Sequence, residues 1–236
     1  LPSYIGFVAK EAGIKQFLFA SSCSVYGYTL NKTYSETSPA TCNYPYGISK
    51  LQGEKGLEAL VDENFSVTIL RQGTVCGYSP RMRLDLAMNT MFKIALQHQK
   101  ITLSNNTIWR PILGLNDLCE AYSLALNAEI PGKEVFNISS FNSTVGELAN
   151  HIIAYLEKHL KNPIALEDLG IRDFRNYKVS TSKAEEILKF KPQQNALDII
   201  LELFNHLDHF SQFEEERFYN IEVFKKLMQD LLIESV

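Results

Sequence analysis

Short apolar runs alternate with longer amphipathic ones along the first third of the chain. Residues 4–13 have helical spacing and end at Gly13. Residues 16–21 (Q-F-L-F-A-S) are a compact apolar run, the pattern of a strand buried on both faces. A polar loop leads to a second helix, expected from Tyr44 to about Glu63, with Asn43 as its N-cap and Pro45 in its first turn. Residues 66–71 (S-V-T-I-L-R) repeat the buried-strand pattern. Helix, strand, helix, strand is the order of a parallel α/β sheet. Farther on, helices are expected at 85–99 and 116–128, with strands at 101–104 and 107–112 joined as a hairpin across Asn105-Asn106. A strand follows at 134–138, then a helix opened by a Thr144/Glu147 capping box and running to about Leu160. A short strand at 177–180, a helix from Ser182 and a largely helical last forty residues complete the pattern.

Composition adds exclusions. The 236 residues are 45% hydrophobic and 21% charged, ordinary for a packed globular chain. The formal net charge is −4 with no basic cluster, which disfavours duplex nucleic acid as a partner. No apolar run approaches the ~20 residues of a membrane span, and the expected location is the cytoplasm. Cys23, Cys42, Cys76 and Cys119 lie far apart with no C-x-x-C and no nearby histidine, so neither a metal site nor a disulfide framework is expected. The 12 glycines are scattered, and no G-x-G-x-x-G, G-x-x-G-x-x-G or Walker loop is present to cradle a phosphate.

The candidate chemistry lies at strand ends. Ser21, Ser22 and Ser24 follow the first apolar strand, where open α/β sheets bind ligands; as loop hydroxyls they also suit turn backbone. Gln72 and Thr74 follow the second strand. Tyr46 and Lys50 stand at i and i+4, on one helix face. An ammonium near a phenol favours its deprotonated form and makes a proton donor and acceptor for an alcohol or ketone. A helix-surface pair has the same spacing, and a second Y-x-x-x-K, Tyr28 to Lys32, falls in a loop.

Five collinear motifs carry a resemblance: S-S-C-S-V-Y-G, S-E-T-S-P, Y-P-Y-G-I-S-K-L-x-x-E, L-R-Q-G-T-V-C-G-x-S-P-R and W-R-P. Together they resemble the extended short-chain dehydrogenase/reductase family, in particular its NAD-dependent nucleotide-sugar epimerases and dehydratases (UDP-galactose 4-epimerase-like). The resemblance implies the C-terminal part of a Rossmann-like doubly wound parallel sheet plus a small α+β substrate-binding lobe. Residues 1–80 would be the partial Rossmann domain and 81–236 mainly the lobe, with 101–140 partly returning to the sheet. It implies Ser22, Tyr46 and Lys50 as catalytic residues, with Ser21, Tyr46, Lys50 and Gln72 toward NAD (NADP being the alternative). It implies Ser24, Thr74, Asn89, Arg110 and Arg175 toward a nucleoside-diphosphate sugar, Arg172 and Asp173 lying near the last of these. A guanidinium fork at Arg110 suits the diphosphate.

Departures from the family pattern sharpen the reading. Cys23-Ser24 stands where the 4,6-dehydratases have an acidic pair, which favours epimerase or reductase chemistry. Cys23 and Cys76 read as packing thiols, and the five histidines match no catalytic slot. The family's glycine-rich first half has no counterpart; about 100 residues are expected upstream, which makes the chain a fragment. A truncated, non-catalytic sugar-nucleotide-binding module or inactive remnant is the alternative. Family members pair through the Tyr/Lys helix, and Leu51, Leu57 and Leu60 would serve either a homodimer face or the core.

Overall fold

The computed structural model describes residues 1–27, 32–171 and 176–233, the last four as helix backbone. In chain order the elements are α1 (Pro2–Glu11), β1 (Gln16–Ser22), β2 (Thr33–Tyr34), α2 (Pro45–Glu58), β3 (Ser66–Gln72), β4 (Thr74–Cys76), α3 (Ala87–His98), β5 (Lys100–Leu103), β6 (Trp109–Gly114), α4 (Leu115–Asn127), β7 (Lys133–Ile138), β8 (Phe141–Thr144), α5 (Val145–Leu160), β9 (Ala165–Asp168), β10 (Lys178–Val179), α6 (Ala196–Asn205) and α7 (Asn220–Ile233). They fall into two compact units. The first comprises Leu1–Val75, Thr107–Thr144 and Ile171–Gln194; the second comprises Cys76–Asn106, Val145–Gly170 and Asn195–Val236.

The first unit is built on a parallel sheet of order β1-β3-β7. The central strand β3 is buried on both faces, which is why its sequence reads as a continuous apolar run instead of an alternating one. Val67 and Ile69 pack on one face with Phe19, Leu57 and Phe65. Leu70 packs on the other with Leu113, Ala121, Ala125, Phe136, Ile138 and Phe190. Each valine, leucine, isoleucine and phenylalanine among them contributes about 1.5–3 kcal/mol by leaving water. Helical residues from α2 and α4 thus cover opposite faces, as a doubly wound sheet requires. Strands β4, β6 and β8 form a second sheet and β2 pairs with β10. Leu57 is fully buried, Leu60 packs at the edge of its cluster, and Leu51 packs on Cys23, Val25 and Tyr26. All three leucines therefore contribute to core clusters, Leu51 and Leu60 while half-buried.

In the second unit α3 packs on α5, α5 on α6, and β5 pairs in parallel with β9. Among the described residues no helix is long and apolar enough to cross a membrane.

Three local expectations change. Asn105-Asn106 closes no hairpin, because β5 pairs with β9 while β6 pairs antiparallel with β8. Each strand finds a partner distant in sequence, and β8 and β9 were too short and polar to stand out. Helix α2 starts from Tyr44, whose extended backbone makes it the N-cap in place of Asn43. It ends at Glu58, because residues 59–65 turn back toward β3.

Candidate active site

The carboxyl ends of β1 and β3 lie side by side, with Ser21 opposite Arg71 and Ser22 opposite Gln72. Ser22 is the N-cap of a short 3-10 turn, Cys23–Tyr26, and its Oγ accepts from the Ser24 amide at 3.2 Å. That bond uses an acceptor site and leaves the Ser22 proton to be donated elsewhere. Helix α2 lies against this turn. A Cβ on Gly47 would meet Cys42 Cβ at 2.8 Å and the Ser24 carbonyl oxygen at 2.9 Å, so glycine allows the first turn of α2 to approach the serine loop.

That first turn presents Tyr46, whose side chain is 54% exposed. Lys50 follows one turn later. Its Nζ donates to the Ala20 carbonyl at 2.8 Å and lies 5.7 Å from the Tyr46 ring centroid and 5.5 Å from that of Phe19. Burial lowers the Lys50 pKa. The expected i,i+4 pair is thus brought together and tied by its ammonium to the strand that ends in Ser22.

Other candidates have definite placements. The Ser21 hydroxyl donates to buried Glu54 Oε1 at 2.5 Å. Gln72 Nε2 donates to the Tyr122 hydroxyl at 2.6 Å. Thr74 opens β4. Ser24 Oγ lies 3.4 Å from the Tyr177 hydroxyl, and the Ser24 carbonyl accepts from Tyr44 Oη at 2.8 Å. Arg110 on β6 is buried, donates to the Trp109 carbonyl at 3.0 Å and holds its guanidinium 5.9 Å from the Tyr177 ring centroid. Burial pushes the Tyr177 phenol upward. Tyr177 therefore links the Arg110 strand to the serine loop, a connection absent from the sequence reading. Asn89 lies in the second unit, where Oδ1 accepts from the Gly77 amide at 3.1 Å and Nδ2 donates to the Arg83 carbonyl at 2.9 Å. Its amide closes the loop ahead of α3. Arg172, Asp173, Arg175 and Tyr28 lie outside the described residues.

Cys23 and Cys76 behave as packing groups. Cys23 is fully buried, its Sγ 3.0 Å from the Arg71 carbonyl, and burial pushes its pKa up. Burial pushes Cys76 to about 12. Only thiolate alkylates readily. With iodoacetamide at pH 8, exposed Cys119 is expected to react at least tenfold faster than Cys23 or Cys76, which should label only in denaturant. Peptide mass mapping of Cys23 at the Cys119 rate in native protein would overturn this.

One group of functional interest was missed: Glu54, Arg71, Tyr26 and Asn137, all buried and hydrogen-bonded in series. The available signal was a charged residue, Arg71, closing an otherwise apolar strand, since a buried charge demands a partner.

The model of the NAD dependent epimerase/dehydratase family matches residues 5–139. Human dTDP-D-glucose 4,6-dehydratase is 28% identical over 153 residues, covering 64% of this chain and 43% of that protein. UDP-glucose 4-epimerase of Lacticaseibacillus casei is 26% identical over 212 residues, covering 82% of this chain and 63% of that protein. A solved structure of UDP-glucuronic acid 4-epimerase from Bacillus cereus, in complex with UDP-glucuronic acid and NAD, superposes with a TM-score of 0.75 at 25% identity, covering 90% of this chain and 66% of that one. The chain spans less than half the length of the first curated relatives it matches.

Proposed function

The chain belongs to the NAD dependent epimerase/dehydratase family, and from that premise we propose that it acts on a nucleoside-diphosphate sugar with NAD, by epimerase or reductase chemistry in preference to 4,6-dehydration. The observation that carries this reading is the Tyr46–Lys50 pair, anchored on β1 beside Ser22. The relatives that resemble the chain act on UDP- and dTDP-sugars, by their names, and the B. cereus structure holds UDP-glucuronic acid with NAD.

The residues present suit the nicotinamide end of NAD. Lys50 keeps two ammonium donors beyond its bond to Ala20, and Gln72 ends the strand beside Ser22. No glycine cradle for the pyrophosphate occurs among the chain's 12 glycines. When bound, NAD supplies a reversible hydride acceptor. Tyr46, as phenolate, takes the proton of the sugar hydroxyl on Oη and later returns it. The Lys50 charge stabilises the phenolate oxygen before the proton is taken and after it is returned. Ser22 donates its unused proton to the same sugar oxygen. The Arg110 fork would grip the diphosphate, its aim set by Tyr177. The preference over dehydration rests on residues 23 and 24. A sealed thiol and a serine hydroxyl occupy them, and neither can shuttle a proton as a carboxyl group does in eliminating water.

Incubation of the purified protein with NAD and a panel of UDP- and dTDP-sugars, followed by chromatography and mass spectrometry, tests the reading. An isomeric sugar nucleotide is the expected product of epimerisation. A product lighter by one water would establish dehydration and overturn the preference. UDP binding by calorimetry with no conversion would favour the non-catalytic alternative.

A further inference from the structure

Glu54 lies on α2 four residues after Lys50 and eight after Tyr46, so the three positions run down one side of the helix. Its carboxylate is buried and fully engaged. Arg71 grips it with a fork, Nε to Oε1 at 2.9 Å and Nη2 to Oε2 at 2.6 Å, and Ser21 donates to Oε1 at 2.5 Å. The remaining arm of Arg71 donates to Tyr26 Oη at 2.9 Å, and Tyr26 donates to Asn137 Oδ1 at 2.7 Å. Asn137 Nδ2 in turn donates to the Ser180 carbonyl at 3.2 Å. Helix α2, strands β1, β3 and β7 and the 3-10 turn are thereby joined one residue below Ser22 and Gln72.

Stability alone is a poor reason for this arrangement. A buried ion pair recovers little more than its own desolvation, and packed apolar residues of the same volume do as well or better. Its position suggests another role. An ammonium and a carboxylate at i and i+4 of a helix ordinarily attract each other. Here Lys50 turns to the Ala20 carbonyl and Glu54 turns to Arg71. We propose that Arg71 is a positioning residue for the Tyr46–Lys50 pair: its fork holds the Glu54 carboxylate away from Lys50 and seats α2 against β1.

The proposal rests on reading Tyr46 and Lys50 as the reacting pair, but its first test does not need activity. The groups packed around this side of α2 are Tyr46 and Glu54 on the helix itself, the Phe19 ring and Ser21 hydroxyl from β1, Arg71 from β3, and Tyr26 and Cys23 from the turn. Cys42 and Glu36 come from the loop before α2, Cys42 sensing Glu54 and Glu36 accepting from the Asn137 amide. Glu54 is the carboxylate one helical turn from Lys50, and among the described residues Arg71 and Ser21 occupy it.

The experiment is a carbon-13 NMR titration of lysine side chains in the full chain, with Lys50 assigned by the signal missing in Lys50→Arg. Releasing Glu54 by Arg71→Met is expected to raise the Lys50 midpoint by about one pH unit, tenfold in acidity. Adding Glu54→Gln should return it to within about 0.3 of wild type, since no carboxylate remains to capture Lys50. In parallel, kcat should fall tenfold or more in the single variant with KM unchanged, and recover at least half of that loss in the double. An unmoved midpoint, or a double variant that stays with the single, overturns the proposal. Should Arg71→Met fail to fold, Arg71→Lys serves: a one-point contact frees one oxygen, so the midpoint should still rise, and no rise overturns the proposal. Midpoints that behave as stated in a protein that converts no nucleotide sugar would sink the functional reading and leave the clamp standing. Turnover with an unmoved midpoint would do the reverse.

Discussion

Tyr46→Phe is expected to lower kcat on a converted nucleotide sugar by about 10³-fold, within the 10²–10⁴ range that a positioned proton-transfer group contributes. KM should stay within about threefold, because the variant removes one oxygen that binds substrate weakly and moves its proton in the transition state. The tyrosine is 54% exposed and buries little on folding, so thermal unfolding should not move. Tyr44 supplies the control. Its hydroxyl donates to the Ser24 carbonyl at 2.8 Å, so Tyr44→Phe removes a hydroxyl from the same turn without touching the proton path. Its cost in kcat should stay below about tenfold, consistent with one lost hydrogen bond of about 1 kcal/mol. Initial rates over a substrate series measure both. A Tyr46→Phe loss no larger than that of Tyr44→Phe would remove Tyr46 from the chemistry.

Phe136→Ala should cost about 3–5 kcal/mol of unfolding free energy, the range for truncating a buried aromatic. Phe136 is fully buried on β7, packed among Leu70, Leu113, Ile138 and Phe190, and the Lys183 ammonium lies 5.0 Å from its ring centroid. Alanine there leaves a cavity that a sheet held on both sides cannot collapse to fill. Given typical domain stabilities of about 5–15 kcal/mol, this loss is large enough to thin the folded population at 37 °C. Urea unfolding followed by far-UV circular dichroism reads the change. Leu126→Ala, at a side chain 60% exposed, should move stability by less than about 0.5 kcal/mol. A Phe136→Ala effect below 1 kcal/mol, or one equal to that of Leu126→Ala, would mean that this face of the sheet is not the core.

The contrast between these sites mirrors what could be read in advance. Strands β1 and β3 were legible as short apolar runs, but only β3 is buried on both faces; β1, at the end of the described sheet, keeps Phe17 and Leu18 half-buried and Ala20 exposed. Helix α2 was legible because Pro45 and the Tyr46/Lys50 spacing mark its first turns. Strands β8 and β9 were not, because four-residue strands carry too few positions to show a period. The hairpin expected at Asn105-Asn106 failed for a related reason. Turn chemistry records what a local segment tolerates, whereas pairing goes to whichever strand the rest of the fold brings alongside. Motif position marked Asn89, and the structure adds that its amide bonds the Gly77 and Arg83 backbone.

The sequence by itself determined the parallel α/β character, the family, and the side-by-side arrival of Ser22, Gln72, Tyr46 and Lys50 at one edge. The first rests on continuous apolar runs and the 3.6-residue helical period, the second on five collinear motifs, and the third on strand ends and the Tyr46/Lys50 spacing along one helix, all of them readable along the chain. Only the tertiary structure decided where each polar atom spends its hydrogen bonds. Lys50 bonds Ala20 and not Glu54, Glu54 bonds Arg71 and Ser21, and Tyr177 reaches Ser24 from 153 positions away. A buried polar group must find a partner wherever the packed chain offers one, and that choice is made across the fold, at separations no spacing rule encodes.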